Sequence, residues 1–270
     1  MCEKLQILPA HHFGARPGRT TTDSIHLLTK TVKDTWRKGQ VASALFLDIK
    51  GAFPSIDIKQ LTHNMRKREI PVEYTQCYLR WLSNRRMRLS FNSFHSEFFS
   101  VRNSLDQRDP LLAILYLIYN SDLPSIADVK LGKHLLLFVD DAAIVVTGKN
   151  FTKTHTKLRN IMTCPAGILD WATLHNCEFG IAKFQLLDLT KKLTPHPFNL
   201  KIPQQTLILG NQWIPSKDTA KFLGVIINNK LTWKAQGTTA LAKGQDWLFK
   251  FKRIATTTKG THCWAGCLVY

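Results

Sequence analysis

Two adjacent aspartates, Asp140 and Asp141, separate two short apolar runs in the middle of the chain. Residues 135–139 precede the pair and residues 142–146 follow it, and both runs have the composition of strands. A gap of only two residues between two such runs predicts a β-hairpin. Like charges at its tip repel each other, and a bound divalent cation would relieve that repulsion. The alternative interpretation is a solvated turn, where aspartates are common.

A third aspartate, Asp48, ends an apolar run that begins at Val41 and is typical of a buried strand. A carboxylate there is costly unless it binds a partner, although a strand-end acid or a helix cap would also explain it. Hard oxygen ligands are those that Mg²⁺ prefers. Two such ions, Mg²⁺ or Mn²⁺, held by the three aspartates would suit phosphoryl transfer.

Charge points to the class of partner. The 270 residues carry a formal net charge of +18, which favours an anionic partner such as nucleic acid. Arginines and lysines between positions 66 and 88 are interleaved with Tyr78 and Trp81, a mixture that can contact phosphates and stack on bases. The longest apolar run, residues 111–119, is too short to span a membrane. Six scattered cysteines favour an intracellular protein, in nucleus or cytoplasm, and the histidines show no metal-ligand spacing.

The periodicity of apolar residues predicts an α+β fold, an antiparallel sheet backed by helices. Strands are expected over residues 41–47, 135–139, 142–146, 184–190 and 221–227, with a hairpin over residues 88–101. Helices are expected from a cap at Thr22 to Gly39, over residues 58–68 and 71–83, from Pro110 to about Asp122, and over residues 152–175 with a disturbance at Pro165.

Several blocks around these aspartates resemble the reverse transcriptases of non-LTR, LINE-type retrotransposons, and most of all fungal elements. Residues 45–55 resemble motif A, residues 138–142 motif C, and residues 221–227 motif E, the primer grip. Residues 12–23 are similar to the segment between fingers and palm, and Lys183 is placed like the motif D lysine. The resemblance covers residues 8–233 in the order of the family, and it implies a palm with partial fingers and little or no thumb.

The resemblance implies a role for each matching residue. Asp48 and Asp140 would bridge two metal ions, Asp141 would complete or orient that site, and Lys183 would protonate the leaving pyrophosphate. Phe53 would be the steric gate against ribonucleotides, unless it is only a core aromatic. The other implied contacts are Ile49 and Gln107 with the nucleotide, Arg16 and Arg19 with template phosphate, and Gly224 in the primer grip. For Lys183 and the two arginines a plain surface position is the alternative.

The implied activity is RNA-directed DNA polymerisation, with an RNA template, a DNA primer, deoxynucleoside triphosphates and a larger retroelement protein as partners. Motif B departs from the family pattern, because Arg108 stands where the family has glycine. We expect residues 8–233 to form the reverse transcriptase domain and residues 234–270 a basic segment that starts the thumb. The upstream fingers and the thumb are expected to be short, which favours two further hypotheses: an inactive relic and a non-catalytic basic module that binds nucleic acid.

Overall fold

A computed structural model of the chain describes residues 7–83, 85–100, 110–192 and 205–254. The helices in these ranges are α1 (Thr21–Arg37), α2 (Ile58–Lys67), α3 (Val72–Leu82), α4 (Pro110–Tyr119), α5 (Phe151–Thr163), α6 (Ile168–Leu174) and α7 (Lys234–Ile254). The strands are β1 (Val41–Lys50), β2 (Arg86–Met87), β3 (Ser90–Phe91), β4 (Phe94–His95), β5 (Phe99–Ser100), β6 (Lys133–Phe138), β7 (Asp141–Gly148), β8 (Glu178–Phe179), β9 (Gln185–Leu189), β10 (Thr206–Leu209), β11 (Gln212–Pro215), β12 (Thr219–Phe222) and β13 (Val225–Asn228).

The main sheet is antiparallel and has β1 at its centre, in the order β6-β7-β1. The other edge of β1 is shared by two strands. β9 pairs with its first half, and β8 pairs with Ile49 and Lys50 at its end. The two partners are separated by a short 3₁₀ turn, Ile181–Lys183. Asp48 therefore lies beside a break in strand pairing on one edge of β1.

Apolar side chains cover both faces of this sheet, because successive residues of a strand point to opposite sides. Leu45, Leu47 and Ile49 of β1 belong to a core that includes residues of α2, α4, α5 and α6. Ala44 and Phe46 point the other way, into a second core with α1 and the β12–β13 hairpin. By the same alternation Asp48 belongs to the second face, which fixes the side of the sheet on which the candidate site lies.

The predicted α+β class is confirmed, and the structure corrects several boundaries. The helix expected to be capped by Thr22 is α1, which is capped instead by Thr20 in a reciprocal arrangement with Asp23. The long helix expected over residues 152–175 is two helices, since the chain turns at residues 164–167. The single strand expected over residues 221–227 is wrong, because β12 and β13 form a hairpin. In the described ranges no helix is long and apolar enough to cross a membrane.

Candidate active site

Strand register brings two of the three aspartates together. β1 and β7 pair so that Asp48 lies directly opposite Asp141. Directly opposed residues of an antiparallel pair have Cβ atoms about 4.5–5.5 Å apart and share one face of the sheet. The two carboxylates therefore lie side by side, on the face of the second core. The predicted hairpin is present as β6–β7, with Val139 and Asp140 as its two loop residues.

A lysine approaches the same place from the turn between β8 and β9. Lys183 Nζ lies 3.1 Å from Asp48 Oδ2, and the Gly180 amide donates to the Asp48 carbonyl at 2.9 Å. A Cβ atom at position 180 would lie only 3.0 Å from Asp48 Oδ2. The absence of a side chain at Gly180 thus leaves room for the carboxylate, and the turn that follows delivers the ammonium group.

The two carboxylates have few partners. The partner of the buried Asp48 Oδ2 among the described residues is the Lys183 ammonium group, and the Asp48 side chain as a whole is 42% exposed. Partial burial raises the pKa of the Asp141 carboxyl, and the negative charges of Asp140 and Asp48 raise it further. A cation bound between Asp48 and Asp141 would remove both costs, so this donor set fits a divalent metal ion. Within the ranges the structure describes, however, no group of three or more His, Cys, Asp or Glu side chains is arranged to hold one.

The two aspartates open into a cleft of about 400 Å³. Its walls come from β1, the Ile181–Lys183 turn and the β12–β13 hairpin, with Phe46 and Phe222 in ring contact at 5.2 Å. Lys217 and Lys221 also line it. The cleft thus joins two carboxylates to three ammonium groups, a combination that can hold a metal ion and a phosphate chain in one place.

The loop that carries Asp140 has a strained backbone and is held by a hydrogen bond from a neighbouring side chain. Val139 has a φ of +57°, a left-handed conformation that is unfavourable for a β-branched residue. The Asn120 side-chain amide donates to the Val139 carbonyl at 2.9 Å, and its Oδ1 lies 2.9 Å from His12 Nε2. Burial above all, with smaller effects of Arg16 and Arg19, lowers the pKa of His12 to about 4. His12 is therefore neutral at pH 7, and its Nε2–H donates to Asn120.

A glycine packs against the same loop. A Cβ atom at Gly14 would lie 2.5 Å from Val139 Cγ2 and 2.7 Å from Val139 N. The neighbouring segment is fixed to β6, since the Phe13 amide donates to the Leu137 carbonyl at 2.8 Å and the Leu137 amide donates to the His11 carbonyl at 3.1 Å. Asn120, His12 and Gly14 form what we call the loop clamp. It fixes the backbone from which Asp140 projects.

Phe53 and Ile49, two residues expected to contact the nucleotide, differ in burial and in their surroundings. Phe53 is half-buried, with its ring centroid 5.0 Å from that of Tyr116. Burial above all raises the pKa of Tyr116, with smaller contributions from Cys177 and Asp140. Ile49 is buried in the first core, on the face of the sheet away from Asp48.

The two arginines predicted to contact template have partners within their own segment. Arg16 Nη1 donates to the Pro9 carbonyl at 2.6 Å and to the His12 carbonyl at 3.1 Å. Arg19 donates to the Ala10 carbonyl and lies over the Phe13 ring at 5.4 Å. Gly224 has a φ of +80° and, with Leu223 at +49°, forms the two-residue loop of the β12–β13 hairpin. Gln107 and Arg108 lie outside the described residues.

Sequence comparison decides the family. The profile of the reverse transcriptase (RNA-dependent DNA polymerase) family matches residues 1–227. The chain belongs to the reverse transcriptase family.

Curated relatives of this reverse transcriptase domain come from transposons of Drosophila melanogaster. The probable RNA-directed DNA polymerase from transposon X-element is 27% identical over 236 residues, and that from transposon BS is 25% identical over 240 residues. These alignments cover 86% and 84% of the chain, but the chain spans only about a quarter of the length of each relative, 24%. They support a LINE-type reverse transcriptase domain of a retrotransposon. The likeness to fungal elements in particular stays a prediction.

Solved structures give the same fold. Apo telomerase from Candida tropicalis, truncated from its C-terminal domain, aligns with a TM-score of 0.57 at 12% identity, over 83% of this chain and 40% of that one. Telomerase of the same organism in complex with a TWJ fragment of telomeric RNA aligns with a TM-score of 0.55 at 11% identity, over 83% and 33%. The palm-like antiparallel sheet backed by helices is therefore confirmed as the fold.

Sequence reasoning about this reverse transcriptase found the aspartates and the lysine and missed their supports. Asn120 follows an apolar helix and Gly180 precedes a 3₁₀ turn, so neither carries a local signal of function. Gly14 lies within the block that suggested the family, but its packing against Val139 depends on a contact 125 positions along the chain. Only the tertiary fold brings these residues to the site.

Proposed function

We propose that the domain extends a DNA primer along an RNA template, using deoxynucleoside triphosphates and divalent metal ions. The observation that carries the proposal is the cross-strand pair Asp48–Asp141 with Lys183 Nζ 3.1 Å from Asp48, in a cleft large enough for a phosphate chain. Strained and under-satisfied polar groups concentrate at functional sites, which favours a catalytic over a structural explanation.

Asp48 and Asp141 would hold the metal ions, and Asp140 would complete the ligand set from the clamped loop. When bound, two Mg²⁺ or Mn²⁺ ions supply charge stabilisation and an activated primer hydroxyl for in-line phosphoryl transfer. Lys183 is 69% exposed and can move from Asp48 to the outgoing pyrophosphate, where its ammonium group donates a proton or a hydrogen bond. Lys221 is an additional cation for phosphate in the same cleft.

Selection of the nucleotide would fall to the first residues after β1. Phe53 would exclude a ribose 2′-hydroxyl as long as its ring stays close to its contact with Tyr116. Gln107, in the sequence before α4, would contact the nucleotide. Ile49 would act through its backbone, because its side chain is in the core. Arg16 and Arg19 would position the template indirectly, by holding the 9–19 segment, and Gly224 would let the β12–β13 loop approach the primer. A complex with RNA for one structural neighbour adds support for an RNA template.

A second function is favoured by one observation. The Lys183–Asp48 ion pair neutralises a carboxylate that a metal ion would otherwise need, as expected for a basic module that binds nucleic acid without catalysis. The two proposals differ in metal dependence, since phosphate contacts alone give salt-sensitive binding without a requirement for Mg²⁺.

Primer extension on an RNA template tests the proposal. We expect Asp48→Asn and Asp141→Asn to lower the extension rate by roughly 10³-fold, about 4 kcal/mol of lost transition-state stabilisation. Asp170→Asn is the matched control, because Asp170 is exposed and only accepts the Ala166 amide, which asparagine can also do. In parallel, Mg²⁺ should raise the melting temperature of the wild type and of Asp170→Asn, but not of Asp48→Asn. Extension by all four proteins at equal rates would contradict the assignment, and nucleic-acid binding without extension or a Mg²⁺ effect would favour the second function.

A further inference from the structure

A second concave surface lies at the opposite end of the central sheet from Asp48. It is a groove of about 780 Å³ between the C-terminal half of α1, the start of β6, the end of β7 and the first turns of α5. The same strands reach both places, because Asp48 pairs with Asp141 and Val41 with Gly148, seven residues further on. At about 3.3 Å per residue the groove is about 23 Å from the aspartates.

The groove is lined by cations. Five lysines contribute to its walls, and we call it the lysine groove: Lys38, Lys130, Lys149, Lys153 and Lys157. The first four are exposed, and no carboxylate lies within ion-pair distance of them in the described part of the chain. Asp34 is the acid of the lining, and it is already paired with Arg37 at 2.6 Å. The local charge is therefore strongly positive and uncompensated.

The ammonium group of Lys157 is held in place in the groove by two backbone carbonyls. Its Nζ donates to the Leu131 and Thr147 carbonyls, each at 2.7 Å, and a lysine ammonium has three N–H donors. One donor thus remains for a ligand. Burial lowers the pKa of Lys157, and the positive charge of Lys133 lowers it further. An anion bound at this point would relieve that repulsion and complete the hydrogen bonding.

We propose that the lysine groove binds the phosphate backbone of a nucleic-acid strand that extends beyond the primer–template junction. A groove of this volume and charge fits several consecutive phosphates, whereas the cleft at Asp48 accommodates the reacting groups. The choice of nucleic acid over an anionic membrane rests on the proposed polymerase function. The groove would increase the affinity for long substrates without contributing to the chemical step.

The test compares two labelled RNA–DNA substrates by fluorescence anisotropy over a range of salt concentrations. The short substrate is a primer–template of about eight base pairs, and the long one carries about twenty additional nucleotides of single strand on each side. We expect Lys149→Gln/Lys153→Gln to reduce the slope of log K against log salt by about 1.4 for the long substrate, about 0.7 per lost phosphate contact. Lys33→Gln/Lys59→Gln is the matched control, because it removes the same charge from exposed lysines outside the groove.

The outcomes separate the groove from the active site. A larger loss for the long than for the short substrate, seen in the groove variant and not in the control, supports the proposal. Equal losses in both double variants would overturn it and leave only a general effect of charge. Vesicles of anionic phospholipid are a third probe, and retention of vesicles without selective loss of the long RNA–DNA substrate would also overturn it. If the groove variant behaves as expected but the wild type extends no primer, the polymerase proposal fails and the groove remains.

Discussion

Two aspartates on neighbouring strands of one sheet, Asp188 and Asp48, differ in burial and in their hydrogen-bond partners. Asp188 on β9 has a fully buried side chain, and its Oδ1 accepts from Ser43 Oγ at 2.6 Å and lies 2.9 Å from His155 Nε2. The Gln205 backbone N–H donates to Asp188 Oδ2 at 3.3 Å. Asp48 on β1 has a partly exposed side chain whose partner among the described residues is the Lys183 ammonium group, and a like charge lies opposite it. The Asp188 carboxylate is enclosed by donors, whereas the Asp48 carboxylate keeps acceptor capacity for a further cation, as expected at a functional site.

The difference follows from the two faces of the sheet. Asp188 and Ser43 pair across β9 and β1 and point toward α5, where Thr154 and His155 meet them. Asp48 points to the face where the break between β8 and β9 opens the cleft. The first position is closed by a helix, and the second opens into the cleft.

The largest expected effect comes from removing the saturated carboxylate. Asp188→Ala leaves Ser43, His155 and the Gln205 amide without their acceptor in the interior, at a cost of about 3–5 kcal/mol. Asp48→Ala should lower the free energy of unfolding by less than about 1 kcal/mol, because its ion pair with Lys183 joins two partly exposed groups. Urea unfolding at pH 7 measures both. A loss for Asp48→Ala as large as that for Asp188→Ala would remove the distinction between the two acids.

The second largest expected effect concerns the loop that carries Asp140. It tests whether packing, rather than hydrogen bonds to the carboxylates, keeps the candidate active site in place. Gly14→Ala places a Cβ atom against Val139 and should cost about 1–3 kcal/mol, the usual price of overpacking. Primer extension should fall further than this loss of folded protein explains, because the loop with Asp140 is displaced. Gly237→Ala is the control, since nothing lies within 4 Å of its Cβ position and alanine favours a helix by about 1 kcal/mol.

A result for Gly14→Ala that matches Gly237→Ala in stability and in extension would show that the loop clamp has no mechanical role. A loss of stability with extension unchanged per folded molecule would assign the clamp to the fold alone.

The sequence predicted those parts of the molecule that depend on local pattern. The β6–β7 hairpin follows from two apolar runs two residues apart. The proximity of Asp48 and Asp141 agrees with a sequence in which one acid follows the apolar run from Val41 and the other lies at the hairpin tip. The β12–β13 turn was missed, since Leu223 gives no sign of the left-handed conformation that it adopts beside Gly224. The histidines show no metal-ligand spacing in the sequence, and His12 and His155 are buried in hydrogen-bond networks that the spacing does not reveal. Such partners lie 33 and 108 positions away, beyond the reach of periodicity.

The smallest expected effect is an increase in the free energy of unfolding, and it depends on pH. The raised pKa of Asp141 means that its charged form is less favourable in the folded than in the unfolded chain. Its contribution to stability is therefore lost as pH rises above the ordinary value of 3.8 and through the higher folded value. Asp141→Asn should be slightly more stable than the wild type at pH 7, by less than about 1 kcal/mol, because the Asp141 side chain is only partly buried and solvent screens its charge.

This advantage should shrink as the pH falls toward 4, and Mg²⁺ should also reduce it at pH 7 because the cation stabilises only the charged wild type. Urea unfolding from pH 4 to pH 8, with and without Mg²⁺, measures the difference. Asp170→Asn again serves as control, because Asp170 is an exposed carboxylate on α6, outside the β1–β7 strand pair. If Asp141→Asn is less stable than the wild type at pH 7, the Asp141 carboxylate has a favourable partner, and it belongs with Asp188 rather than with Asp48.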